Sequence, residues 1–164
     1  MGKSMKSIAE SCTKIALAKG AKEAGAAVSR VRDVTLDWRD GKVDRINEAT
    51  RRGVQLQLYV DGRYSVASSS DLRPEALEQF IADSVSNTRV LAEDPFRSLP
   101  DPALYAGQAK KDLELEDPEY ASVTPQMRRE AAKAMEDAAR SVKGADRILS
   151  VTSTFNDTRS ESFR

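Results

Sequence analysis

Between residues 31 and 72, alternating apolar and polar side chains and well-spaced turn residues fit an antiparallel β-meander and little else. The clearest part is 53–68. There Val54, Leu56, Leu58 and Val60 alternate with Gln55, Gln57 and Tyr59, and Asp61-Gly62 turns the chain into Arg63-Tyr64-Ser65-Val66-Ala67-Ser68. A two-residue Asp-Gly loop fixes the register. Val60 should face Arg63, Tyr59 should face Tyr64, Leu58 should face Ser65, and Leu56 should face Ala67. Large residues against small ones leave a shallow trough in which a helix can lie close, while the tyrosine pair stacks on the opposite face.

The preceding hairpin, at Asp40-Gly41, admits two registers. A two-residue loop sets Asp37 opposite Asp44 and Asp33 opposite Glu48, and like charges directly across a pair are unfavourable. A three-residue loop over 39–41 moves both clashes away, sets Val34 opposite Ile46 and needs one left-handed residue, which Gly41 supplies. The second register is therefore expected. The strands then run 31–38, 42–49, 53–60 and 63–68.

The chain has 164 residues, long enough for one domain with a real core, and one domain over 1–164 is the expectation. Lys and Arg number 26, as do Asp and Glu, so no global basic field would draw the protein to nucleic acid. Histidine is absent and Cys12 is the single cysteine, which removes the commonest zinc ligands and the commonest general base. Any metal site would have to be all oxygen, and a disulfide within one chain is excluded. Cys12 falls in a helical stripe with Met5, Ile8, Ile15 and Ala16, so it reads as a buried thiol acting as a small apolar group. The first segment never holds seven apolar residues in a row and reads as neither signal peptide nor membrane anchor, hence a cytoplasmic protein.

A first helix is expected over 4–19, stopped by Gly20. Ala24 to Val28 then lead into the meander. After it, Ser69-Ser70-Asp71 can cap a helix with Pro74 in its first turn; Leu77, Phe80, Ile81, Ser84, Val85, Thr88 and Leu91 share one face, and Asp94-Pro95 ends it. That face is the natural cover for the Leu56 and Leu58 trough. From 94 to 124 prolines break every pattern, and the stretch reads as a long solvated crossover, its first half pinned by Leu99, Leu104 and Tyr105, with a partner surface or site lining as the other reading. The acidic residues Asp112, Glu114, Glu116, Asp117 and Glu119 lack calcium-loop spacing and a glycine, and read as a solvated face. Thr124-Pro125 opens a helix with Met127, Ala131, Ala134, Met135, Ala138 and Val142 on one side, stopped by Gly144. A strand over 146–155, a turn at Asn156-Asp157 and a second strand from Thr158 are expected to follow. That last strand stops at Arg164 in mid-run, which reads as a cut in a longer protein.

The fold class is therefore α+β: an antiparallel meander with helices packed on one face. Lys19-Gly20-Ala21 and Lys143-Gly144-Ala145 each stand between a helix and a strand, so a helix-and-strand duplication is one reading; the other is that glycine ends helices generally. No phosphate loop, nucleophile elbow, paired cysteines or zinc-binding helix motif is present. Arg51-Arg52 reads as an exposed pair at a strand junction. No residue is assigned as catalytic, metal-ligating or substrate-binding.

Taken together, Asp40-Gly41-Lys42-Val43, Gly53 with Val54-Gln55-Leu56-Gln57-Leu58-Tyr59, Asp61-Gly62-Arg63, Ala67-Ser68-Ser69-Ser70-Asp71-Leu72 and Pro74-Glu75-Ala76-Leu77 resemble the amino-terminal domain of the TldD/PmbA family, also labelled modulators of DNA gyrase. The resemblance continues through Ala92-Glu93-Asp94-Pro95, Leu99-Pro100-Asp101-Pro102 and Met135-Glu136-Asp137-Ala138-Ala139-Arg140, favouring the PmbA (TldE) branch, and spans nearly the whole chain. It implies a cytosolic, non-catalytic domain of a metallopeptidase assembly that processes or degrades peptides. This domain would shape the substrate passage and subunit interface, and the protein would act as a homo- or heterodimer with a TldD-type subunit. In that family the zinc-binding His-Glu-x-x-x-His motif lies in a carboxy-terminal domain of the TldD-type subunit, so zinc is expected there and no cofactor here. The rival expectation is an independent module acting on a topoisomerase or its inhibitor. A β-rich domain downstream of Arg164 would favour the first, a stop codon the second.

Overall fold

In the computed structural model, which describes residues 4–105 and 111–164, a four-stranded antiparallel sheet carries three helices packed against it, an α+β fold. The strands are β1 (Glu23–Arg39), β2 (Lys42–Val60), β3 (Arg63–Ser69) and β4 (Thr152–Phe163), side by side as β3-β2-β1-β4. The helices are α1 (Met5–Ala18), α2 (Pro74–Thr88) and α3 (Pro125–Arg140). The meander thus has three strands where four were expected. Gly53 does not break β2, because it is extended, and glycine is needed there for another reason: a Cβ would stand 3.0 Å from the Ser69 carbonyl oxygen. By packing the chain divides into two compact units, one of Met1–Val31, Arg51–Gln108 and Ser160–Arg164, the other of Arg32–Thr50 and Ala109–Arg159.

In the first unit the second hairpin has the expected register throughout, with Val60 opposite Arg63, Tyr59 opposite Tyr64, Leu58 opposite Ser65 and Leu56 opposite Ala67. Asp61 and Gly62 both sit in the left-handed region, φ 49° and 71°, the conformation of a two-residue turn that follows the strand twist. Val54, Leu56, Leu58 and Val60 point into a core with Val28, Ala9, Cys12 and Ala16 of α1, and Leu77, Ile81 and Val85 of α2. Each fully buried Leu or Ile contributes about 1.5–3 kcal/mol. The small residues Ser65 and Ala67 let α2 come close, and the Ser65 and Thr88 hydroxyls meet at 2.6 Å. On the far face the Tyr59 and Tyr64 rings lie 5.0 Å apart, and the Arg97 guanidinium lies 4.8 Å from the Tyr64 ring centre.

Helix α1 is capped by Ser4, whose hydroxyl oxygen accepts from the Ser7 N–H at 3.1 Å, and ends before Gly20 at φ 102°. Helix α2 ends at Thr88, before the expected Asp94-Pro95 stop, and Leu91 is exposed. Tertiary partners take over the backbone there: the Arg63 side chain donates to the Leu91 carbonyl (2.9 Å), and the Asp94 N–H donates to the Gly62 carbonyl (2.8 Å). Of the expected pins, the Leu99 N–H donates to Glu23 (2.8 Å), whereas Leu104 is exposed; the Tyr105 side chain and 106–110 lie outside the described residues.

In the second unit the first hairpin differs from expectation. Asp40 and Gly41 are both left-handed, φ 47° and 83°, between Arg39 and Lys42, so the loop has two residues and not three. The feared repulsion is met by bases and hydroxyls: Asp37 takes Arg45 (3.0 Å) and Thr154 (2.8 Å), Glu48 takes Arg32 (2.7 Å), and Asp33 takes Thr158 (3.0 Å). The expected hairpin at Asn156-Asp157 is also absent. A 3-10 turn at Ala145–Arg147 comes first, and β4 then runs straight through both residues. The Asp157 carboxylate, which could have closed a turn, accepts instead from the Arg128 guanidinium (2.5 Å) and the Tyr120 hydroxyl (2.9 Å).

The face of α3 also differs from expectation. Met127, Met135 and Val142 are exposed, while Arg128, Ala132 and Glu136, four residues apart, are buried. Glu136 accepts from the Trp38 indole (2.6 Å), the Gly41 N–H (2.8 Å) and Arg140 (2.7 Å), so the buried charge has a complete set of donors.

Candidate functional site

On the outer face of the first unit's sheet, away from the α1 and α2 core, the strands leave a groove of about 460 Å³. Register places its walls: Gln55 of β2 stands opposite Ser68 of β3, on the face opposite the Leu56 and Ala67 pair. Ala27 and Ser29 of β1, Gly53 of β2 and Ser70 beyond β3 extend it, with Arg52, Ser162 and Arg164 also on its walls. Most of the lining residues are small, Ala27, Ser29, Gly53 and the serines, and Gly53 allows β2 to approach the Ser69 carbonyl.

Its side chains are hydroxyls, one amide, two guanidinium groups and small apolar groups, with no side-chain carboxylate among them. Asp71, just beyond the Ser68 to Ser70 rim, belongs to Arg73. The Arg73 side chain first, and its N–H second, hold the Asp71 carboxyl down to about 2 against the opposing push of burial, with the charge of Arg52 a smaller influence. Such a surface can bind and orient a polar ligand.

A smaller recess of about 190 Å³ lies between α1 and α2, walled by Ile8, Ile15, Leu72 and Leu77 together with Ser11, Glu75 and Glu78. In the second unit the polar clusters are self-satisfied. The Tyr120 hydroxyl donates to Asp157 and accepts from Arg32 (3.1 Å), and Asp40 accepts from Ser150 (2.7 Å), the Val151 N–H (3.0 Å) and Arg140 (2.6 Å). The N–H of Val151 and the Ser150 hydroxyl lower the Asp40 pKa; Arg140 and the Gly41 N–H lower that of Glu136.

Cys12 is fully buried in the core, as expected for a small apolar group. Asp112, Glu114, Glu116, Asp117 and Glu119 are all exposed, and Asp112 and Asp117 accept from N–H groups two residues on. Among the described residues no three acidic or thiol side chains gather as metal ligands, and the donor set does not fit a zinc centre. Arg52, read from sequence as an exposed residue at a strand junction, lies within β2 on the groove wall. Ser69-Ser70-Asp71, read from sequence as a helix cap, does not cap α2, whose N-cap is Arg73 without a side-chain hydrogen bond; Ser68, Ser69 and Ser70 line the groove instead.

Residues 24–88 match the family model described as PmbA/TldA metallopeptidase domain 1. This domain type is the class that the sheet and its two covering helices define. Over those residues the chain is similar to the PmbA/TldD family. It is 30% identical over 128 residues to Metalloprotease PmbA of Escherichia coli O157:H7, covering 77% of this chain and 28% of that protein. A protein of Bacteroides thetaiotaomicron VPI-5482 named as a modulator of DNA gyrase superposes with a TM-score of 0.88 at 34% identity, over 96% of this chain and 35% of that one. TldE of Thermococcus kodakarensis shares the fold, with a TM-score of 0.65 at 15% identity over 94% of this chain and 34% of that one. The chain thus spans about a third of each of these relatives. Among the described residues no helix is long and apolar enough to cross a membrane.

Proposed function

We propose that this chain is a non-catalytic domain of a PmbA/TldD-type peptidase assembly, lining the passage of a peptide substrate and contributing to the subunit interface, while a TldD-type subunit supplies zinc and the cleavage chemistry. The observation that carries this reading is the 0.88 TM-score at 34% identity over 96% of the chain, joined to the metallopeptidase family match. A chain without histidine, whose one cysteine is buried, fits a supporting role beside a metal-bearing subunit. A cytoplasmic protein working as a homo- or heterodimer is part of the same reading.

The test is to mix the chain with a TldD-type subunit and follow sedimentation together with cleavage of an unfolded peptide. A mixed species whose cleavage rate or product pattern differs from that of the TldD-type subunit alone is expected. Independent sedimentation at micromolar concentration with unchanged cleavage would overturn the reading. The name of the Bacteroides relative supports a second one, modulation of DNA gyrase. A supercoiling assay in which the chain alters gyrase activity without any TldD-type subunit would favour it.

A further inference from the structure

We propose that the outer-face groove of the first unit is a carboxylate site, which holds an acidic side chain of an extended peptide against Arg52 and the hydroxyls of Ser29, Ser68 and Ser70. The inference rests on the reading that a peptide passes over this domain, and adds the class of peptide.

Charge comes first. Two side chains on the groove walls are guanidinium groups and none is a carboxylate. Asp71 is close enough to Arg52 to interact through space but is in direct contact with Arg73, by both the backbone N–H and the side chain. Arg73 is the main partner of Asp71, and the Arg52 guanidinium stands on the groove wall where a ligand can reach it. Hydrogen bonding points the same way. Ser69 is occupied by the Asp71 backbone (3.1 Å), whereas the hydroxyls of Ser29, Ser68 and Ser70 line the cavity as donors, which suits an oxyanion.

Size and field separate peptide from other anions. The groove crosses neighbouring strands at about 460 Å³, room for a stretch of chain and far more than an isolated oxyanion fills. Formal net charge over the whole chain is zero, so the long-range attraction that a nucleic-acid backbone requires is missing.

The experiment titrates the isotope-labelled 164-residue chain with hexapeptides capped at both ends, one rich in Glu, one in Gln and one in Lys, and with inorganic phosphate. The Glu-rich peptide should shift the amides of Gly53, Gln55, Ser68 and Ser70. Its affinity should fall about tenfold in Arg52→Gln, as for loss of a hydrogen bond to a charged group, and fall again as salt is raised. Arg52→Lys should keep most of the binding, and Ser68→Ala with Ser70→Ala should weaken it while the remaining amide spectrum is unchanged. Equal shifts from the Gln-rich peptide would overturn the acidic preference, tighter binding of phosphate would make this a phosphate site, and no shift from any probe would overturn the proposal outright. The co-sedimentation test is read separately. Failed titration with intact assembly removes only this inference; binding of the Glu-rich peptide without assembly removes only the reading beneath it.

Discussion

Gly41 has φ 83° and nothing within 4 Å of where a Cβ would stand, so any cost of replacing it is conformational and not steric. Gly41→Val should therefore destabilise by about 1–2 kcal/mol, the strain of a β-branched residue in the left-handed region. Gly41→Asn should cost much less. Urea midpoints with unchanged slopes check both, and an unaltered midpoint for the valine variant would sink the idea. Asp71 makes a different kind of residue-scale prediction. Its folded value of about 2 lies below the ordinary 3.8, so the ionised carboxylate stabilises the fold above pH 3.8, and that contribution is lost as pH falls through about 2. Thermal melts of the parent and Asp71→Asn should differ at pH 5 and converge near pH 2.

At the scale of the element, α3 shows what an apolar pattern can hide. Sequence periodicity picks out Met127, Met135 and Val142 as the inward face, on the premise that apolar side chains are the buried ones. The inward face is instead Arg128, Ala132 and Glu136, because each buried charge finds partners that lie far away in the chain. Burial pushes the Asp157 carboxyl up, but the hydrogen bonds from Arg128 and Tyr120 more than offset it, and its pKa is lowered. Arg128→Met alone should cost about 3 kcal/mol by leaving Asp157 buried without its base, and adding Asp157→Leu should recover most of the loss. Chemical denaturation of the single and double variants decides this; equal instability of the two would contradict it. Helices α1 and α2, the Asp61-Gly62 hairpin and its register were legible because propensity, turn chemistry and burial agree in them. The straight run of β4 through Asn156-Asp157 was not, since Asp157 serves as a turn former or as a buried acceptor according to what arrives beside it.

For the whole molecule, the family could be read from sequence, but the groove could not. Its walls come from 27–29, 52–55, 68–70 and 162–164, stretches that only the sheet order brings together. The chain should also hold no stoichiometric zinc after dialysis, which elemental analysis checks; one bound zinc per chain would contradict the supporting role given to it. The two Asp-Gly turns set how the protein ages. Succinimide formation needs the glycine nitrogen to attack the preceding aspartyl side chain. At Asp40 that side chain is fixed by Ser150, Val151 and Arg140, and the Gly41 N–H is already given to Glu136. Asp61 meets Arg89 in an ion pair open to water, its side chain 63% exposed. In stored samples isoaspartate should therefore accumulate at Asp61 well before Asp40, so the turn nearer the α1 and α2 core is the one with the shorter chemical lifetime.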